Sequence, residues 1–164
     1  MTDGGGTPAP QRKRTGSHRA RRRAREAALQ GLYLWLLAAT EPALIEAQLQ
    51  EAEDFARLDH EHLRALLYGC IGAAAELDAL LLPYLDRPIA QLSPVEHAVL
   101  WIGSYELQHC IEIPYRVALN EGVELAKSFG GTDGHRFVNG VLDKVAAALR
   151  PAEVAAARAA RAGS

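Results

Sequence analysis

The chain has 164 residues, 49% of them hydrophobic, and a formal net charge of −2, which suits one domain around one core and leaves too little for two. The near-neutral total hides a division: eight of the 18 Lys and Arg residues fall in the first 25 positions against one acid, Asp3, and the remaining residues carry 10 basic and 19 acidic side chains. No stretch approaches about 18 uninterrupted apolar residues and the opening residues hold no secretory apolar run, so the expectation is a soluble, cytoplasmic protein.

Alanine and leucine dominate, β-branched alternation is absent, and apolar residues recur at helical spacing, so the expected class is all-α: a single helical bundle of about six to seven helices. Residues 1–19 are expected to form a disordered basic leader and residues 20–150 the helical domain. Residues 151–164 are expected to be a flexible Ala/Arg tail. A first helix is predicted over residues 21–39, with Ala24, Ala28, Leu32, Trp35 and Leu36 on its buried stripe. Its N-terminus is crowded with Arg21, Arg22, Arg23 and Arg25, which oppose the helix macrodipole; that local cost hints at a functional reason. A second helix is predicted over residues 42–52 with Thr40 as N-cap. A longer one follows Asp59, with Glu61 in its first turn, a break near Gly72 and an end at Pro83.

Ser93-Pro94-Val95-Glu96 is a helix-start signal, with Ser93 as N-cap, Pro94 at the first helical position and Glu96 placed to close a capping box. The run from Ala98 to Gly103 is apolar nearly all round and belongs in the centre of the bundle. After Pro114, the stripe Ala118, Gly122, Leu125, Ala126 and Phe129 ends at Gly130-Gly131. The last helix, capped by Thr132 or Asp133, buries Val138, Val141, Leu142, Val145 and Leu149 and is limited by Pro151. Cys70 and Cys110 sit in apolar helical patterns without metal-type spacing and read as buried small hydrophobes. His60 and His62 at i, i+2 do not share a helix face, so no metal is expected. No cofactor is expected either: Gly130, Gly131 and Gly134 lack the strand and Lys-Ser/Thr signature of a phosphate loop.

Three segments carry a resemblance. Residues 117–130 (VALNEGVELAKSFG) with residues 136–144 (RFVNGVLDK), residues 95–102 (VEHAVLWI) with Tyr105-Glu106-Leu107, and residues 21–26 (RRRARE) with Ala28-Leu29-Gln30 and Tyr33 resemble, in order and spacing, the NusB family of antitermination factors. The resemblance covers most of residues 21–150. It implies a small all-helical, non-enzymatic RNA-binding protein that pairs with NusE, a small-subunit ribosomal protein, to recognise boxA single-stranded RNA in ribosomal RNA operons. The pair then joins the RNA polymerase antitermination complex.

The resemblance also assigns residues. Arg21, Arg22, Arg23 and Arg25 match the family's arginine-rich RNA contact; on composition alone a solvated charge run is equally good. Asp133, Arg136 and Phe137 match family positions at the RNA surface. On physical grounds Asp133 also suits an N-cap, and Phe137 either core or a stacking platform for a base. Glu96 and Tyr33 match positions facing NusE, although Glu96 also serves a capping box and Tyr33 a core edge. An apolar helix face would suit NusE or a homodimer. The alternative function is an accessory RNA-binding domain acting with a ribosomal RNA methyltransferase, since such enzymes carry NusB-like domains. A double-stranded DNA regulator fits poorly with an anionic body and no basic recognition helix.

Overall fold

The computed structural model describes the backbone over residues 13–163 and side chains over residues 18–163. Among the described residues eight helices follow one another: α1 (Lys13–Ala38), α2 (Pro42–Leu49), α3 (His60–Gly72), α4 (Ala74–Leu81), α5 (Pro94–His109), α6 (Tyr115–Phe129), α7 (Gly134–Leu149) and α8 (Pro151–Ala162). Short 3₁₀ turns at Phe55–Arg57, Leu82–Tyr84 and Ile89–Gln91 join them, and no strand occurs among the described residues. The all-α expectation holds, with more helix at both ends than predicted.

At the N-terminal end α1 begins at Lys13 rather than residue 21, so the second part of the expected leader is helical. Nothing between Lys13 and Ala20 includes a proline, and a helix anchored by its packed half extends at little cost, one hydrogen bond for each residue added. Residues 1–12 of that leader lie outside the described residues. The helix ends where Ala39 adopts a positive φ of 51° and its N–H bonds the carbonyl of Trp35 at 2.9 Å, a left-handed stop that usually falls to glycine.

At the C-terminal end Pro151 does not limit the chain to a frayed tail. It occupies the first turn of α8, where a missing N–H costs nothing. Val154 is 3% exposed against the core, and Glu153 Oε2 accepts the main-chain N–H of Tyr115 at the start of α6 at 2.7 Å. The residue before the proline, Arg150, is buried and turns its guanidinium onto the C-terminal end of α5. It donates to the carbonyls of Leu107 at 2.9 Å and of Glu106 and Cys110 at 3.0 Å, and also to that of Ile113. The carbonyls of Glu106 and Cys110, which each accept one main-chain N–H, gain a second bond, and those of Leu107 and Ile113 gain a donor at the helix end; a guanidinium fork can serve several at once.

Elsewhere the start signals work as read, with two changes. Ser93 Oγ accepts the N–H of Glu96 at 3.1 Å and Asp59 that of His62 at 3.0 Å. At α2, however, the cap position is Glu41, not Thr40, and it makes no side-chain capping bond; Pro42 sets the start alone. The Glu96 carboxylate turns toward α7, not back to complete a box: a Cβ added at Gly134 would stand 2.9 Å from Glu96 Oε1.

The centre is α5, buried from His97 through Ser104 and again at Glu106 and Leu107, with α1, α3, α6 and α7 packed around it. Leu142 of α7 fills the space left by two glycines: a Cβ on Gly103 of α5 would lie 2.7 Å from Leu142 Cδ1, and one on Gly122 of α6 would lie 2.8 Å from the same atom. Three helices thus converge on one leucine, at distances that real Cβ atoms do not tolerate. Asp78 ties α4 to α5 by accepting from Trp101 Nε1 at 2.8 Å and His97 Nε2 at 2.7 Å. Cys70 and Cys110 are free and buried, as expected; burial pushes the Cys110 thiol up to about 11.

Candidate functional site

Helical geometry divides the arginine run of α1. Successive residues advance about 100° around the axis, so positions 18, 21, 22 and 25 share one face while 19 and 23 point away from it. The inner face meets acids. Arg25 is 2% exposed and its Nε donates to Glu106 Oε2 of α5 at 2.8 Å, while Nη1 stands 3.9 Å from Glu121 Oε2 of α6. His62 of α3 donates through Nε2 to the same Glu106 oxygen at 2.7 Å. Arg25 therefore locks four helices together, and its expected place among surface phosphate contacts is corrected. Buried charges persist only when paired and hydrogen-bonded, and this guanidinium has spent its charge inside.

Arg22 is held as well. Nη2 donates to Glu121 Oε1 at 2.9 Å and Nε to Oε2 at 3.2 Å, a bidentate pair that raises the guanidinium pKa above its ordinary value, first through the hydrogen bond and then through the carboxylate's charge. Arg21 lies 3.6 Å from Asp59 and 3.8 Å from Glu112. Arg23 is partly exposed and Arg19 exposed; neither has an ion-pair partner among the described residues. The cations most available to a polyanion are therefore Arg19, Arg23 and, at longer pairing distances, Arg21.

A second group gathers where α7 begins. Asp133 occupies the N-cap position but makes no side-chain capping bond and is exposed, so the capping role that its position suggests is not what it does. Arg136, one turn on, is exposed. Phe137 is partly buried against the core, and the Arg87 guanidinium covers its ring, Cζ lying 4.3 Å from the centroid. The ring is therefore neither wholly core nor an open platform.

Tyr33, 39% exposed, lines an apolar surface groove with Leu29, Gln30, Leu34, Val95 and Phe129. Glu96, next in the chain after Val95, is half-buried; it does not line the groove, and its carboxylate faces Gly134. Phe129, expected in the core, is 43% exposed because it ends α6 at the groove wall. His60 stacks on Phe55 with ring centroids 4.4 Å apart, and His62 serves Glu106. No group of three or more His, Cys, Asp or Glu side chains able to hold a metal ion occurs among the described residues. No single helix there is long and apolar enough to cross a membrane.

Glu106, Glu121, Arg87 and Arg150 went unassigned in the sequence. The signal for Glu106 was present: a carboxylate within the apolar run of a central helix has to find a buried cation. Nothing local marks Arg87, which meets Phe137 across 50 positions.

A family model described as the NusB family matches residues 22–147. The transcription antitermination protein NusB of Ralstonia nicotianae is 58% identical over 139 residues, covering 85% of this chain and 90% of that protein. That of Bordetella pertussis is 57% identical over 148 residues, covering 88% and 96%. Among solved structures, T. maritima NusB superposes with a TM-score of 0.67 at 29% identity, covering 76% of this chain and 89% of that one. A crystal structure of antitermination factors NusB and NusE in complex with dsRNA superposes with a TM-score of 0.69 at 26% identity, covering 79% and 98%.

Proposed function

The chain belongs to the NusB family, and from that premise we propose that it is a transcription antitermination factor that binds boxA RNA of nascent ribosomal transcripts together with NusE. It joins both to the RNA polymerase antitermination complex, in the cytoplasm, by binding rather than by catalysis. The observation that carries this is the start of α7, where an exposed carboxylate free of capping duty, Asp133, adjoins exposed Arg136 and the Arg87–Phe137 cation–π pair. A carboxylate accepts from base amino and imino groups, a guanidinium holds phosphate, and a planar pair offers a stacking surface: three elements of single-strand recognition in one place. Arg19, Arg21 and Arg23 on α1 supply sequence-independent attraction. The relative solved with NusE and dsRNA supports NusE and RNA as the partner classes.

NusE takes the apolar groove that Tyr33 lines, and Glu96, next in the chain after the groove residue Val95, offers it a carboxylate. A homodimer is the other candidate for that face, and the mass of the free protein in solution separates the two. The methyltransferase-associated alternative gains no support, since matches spanning 90% and 96% of the relatives' lengths are antitermination proteins.

The test is binding of a boxA-type single strand, a scrambled strand and a duplex, with and without NusE, in about 0.15 M salt. Selective binding of the boxA strand, strengthened by NusE, is the expected result; equal weak binding to all three, indifferent to NusE, overturns the proposal. Asp133→Asn sharpens the test. With no capping bond to lose, the variant should unfold within about 0.5 kcal/mol of the parent, as a surface substitution does, while its preference for boxA over the scrambled strand falls.

A further inference from the structure

Between the turns Leu82–Tyr84 and Ile89–Gln91 the chain places one cation that belongs to neither the α1 run nor α7. The Arg87 Cζ lies over the Phe137 ring, 4.3 Å from its centroid, and Asp86 grips the guanidinium by an edge: Nε donates to Oδ1 at 2.7 Å and Nη2 to Oδ2 at 3.3 Å. A guanidinium is planar, so a carboxylate paired along its edge lies in its plane and leaves both faces clear. The ring lies on one side, beneath Cζ. The side chain still keeps 37% of its surface exposed, and Nη1 takes part in neither bond to Asp86. The hydrogen bond to Asp86, and after it the negative charges of Asp86 and Glu96, raise the Arg87 pKa above its ordinary value.

Phe137 itself is closed to a direct stack. Part of the ring packs on the core and a face carries the guanidinium, so a base reaching for the ring would first have to break a cation–π contact and an ion pair. The outer face of the guanidinium needs no such displacement. Arginine planes accept nucleobases as aromatic rings do, and an edge-held arginine over a ring has already given up the torsional freedom that stacking would cost it.

We propose that Arg87 is the plate on which an unpaired RNA base stacks, with Phe137 as its underlay and Asp86 setting its plane, and that Nη1 donates to a neighbouring phosphate. The proposal rests on the RNA-binding function above and names a contact in it. It moves the stacking surface from Phe137 to a residue outside α7, and it makes planarity, not charge, the property required at position 87. Lysine there would keep the charge and lose the plate.

The experiment measures affinity for the boxA-type single strand, with the full chain and NusE, over a series of salt concentrations. The proteins are the parent, Arg87→Lys, Arg87→Ala, Phe137→Leu and, as an independent phosphate-contact control, Arg23→Ala. Both Arg87 variants are expected to bind about tenfold more weakly, the lower range for losing one stacked base. Arg87→Lys should keep the parental salt slope, while Arg87→Ala should lower it by roughly 0.7 for one lost single-strand phosphate contact. Phe137→Leu, which fills the core but removes the underlay, should fall between. Parental affinity in Arg87→Lys would reduce the residue to a charge and overturn the proposal. Tighter binding in Arg87→Ala would make Arg87 a shield over Phe137, and overturn it equally. If the parent binds selectively, Arg23→Ala weakens it and the Arg87 variants do not, the stacking plate is wrong and RNA binding stands. If the parent shows no selectivity and Arg23→Ala changes nothing, the functional assignment itself fails.

Discussion

Replacing Glu106 with glutamine preserves the shape of the side chain and removes its charge from the most enclosed ionic group in the fold. Glu106 is 0% exposed and Arg25 2%; the carboxylate receives Arg25 Nε at 2.8 Å and His62 Nε2 at 2.7 Å. In Glu106→Gln the nearest counter-charge left to Arg25 is Glu121 Oε2, 3.9 Å from Nη1. Taking one partner from a buried pair costs about 3–5 kcal/mol, because the other stays charged and dry. Against a total stability of about 5–15 kcal/mol that is a large share, and it corresponds to a melting temperature lower by about 6–20 °C for a domain of this size. Urea unfolding followed by far-ultraviolet circular dichroism measures it. The paired replacement Arg25→Met with Glu106→Leu should recover most of the loss, since an apolar pair of similar volume carries no unpaired charge. A loss below about 1 kcal/mol in Glu106→Gln would mean that the pair is solvated and that the anchoring role assigned to Arg25 is wrong. The folded paired variant also decides function: it should bind RNA as the parent does, and a loss matching that of Arg23→Ala would return Arg25 to the RNA surface.

Three further outcomes are expected. Gly122→Ala should cost about 1–3 kcal/mol by overpacking against Leu142, and combined with Leu142→Ala should cost clearly less than the two single losses together; chemical denaturation of the four proteins reads the coupling. Arg150→Ala should take the guanidinium bonds from the carbonyls of Leu107 and Ile113 and the second bond from those of Glu106 and Cys110 and cost about 3 kcal/mol, with Arg150→Lys a poor rescue because it lacks the fork; hydrogen exchange should show α8 losing protection first. The Cys110 thiol titrates at about 11 when folded against 9.0 ordinarily. Its contribution to stability is therefore complete below pH 9 and is lost as pH rises toward 11, where the unfolded chain ionises first. Cys110→Ala should flatten that part of the stability profile.

Periodicity along the chain was enough to recognise α1 to α7 without the first turns of α1, and Ser93-Pro94 and Asp59 marked starts that the structure keeps, because caps act within four residues. Pro151 misled: a proline that forbids continuing one helix also suits the first turn of the next, and the choice fell to Val154 and Glu153 finding partners on the body. The arginine run shows the other limit. Its residue types were visible, and the helical period could have sorted them into two faces, but only Glu106, 81 positions away, makes one face an interior. Phe137 read as core more readily than as platform, and its partial burial beneath Arg87 was not legible because Arg87 has no local mark. Asp133 looked like a cap by position, and only coordinates show its carboxylate making no capping bond.

Leu142, wedged between Gly103 and Gly122, has a consequence for the energetics of recognition. With the middle of α7 pinned to both α5 and α6 at one side chain, the end that carries Asp133, Arg136 and Phe137 cannot swing without dragging two other helices. The protein side of any complex is thus rigid before its ligand arrives, and the ordering cost falls on the single-stranded partner. Strands that are already splayed and unstacked should therefore associate more favourably than self-stacked strands carrying the same contacts.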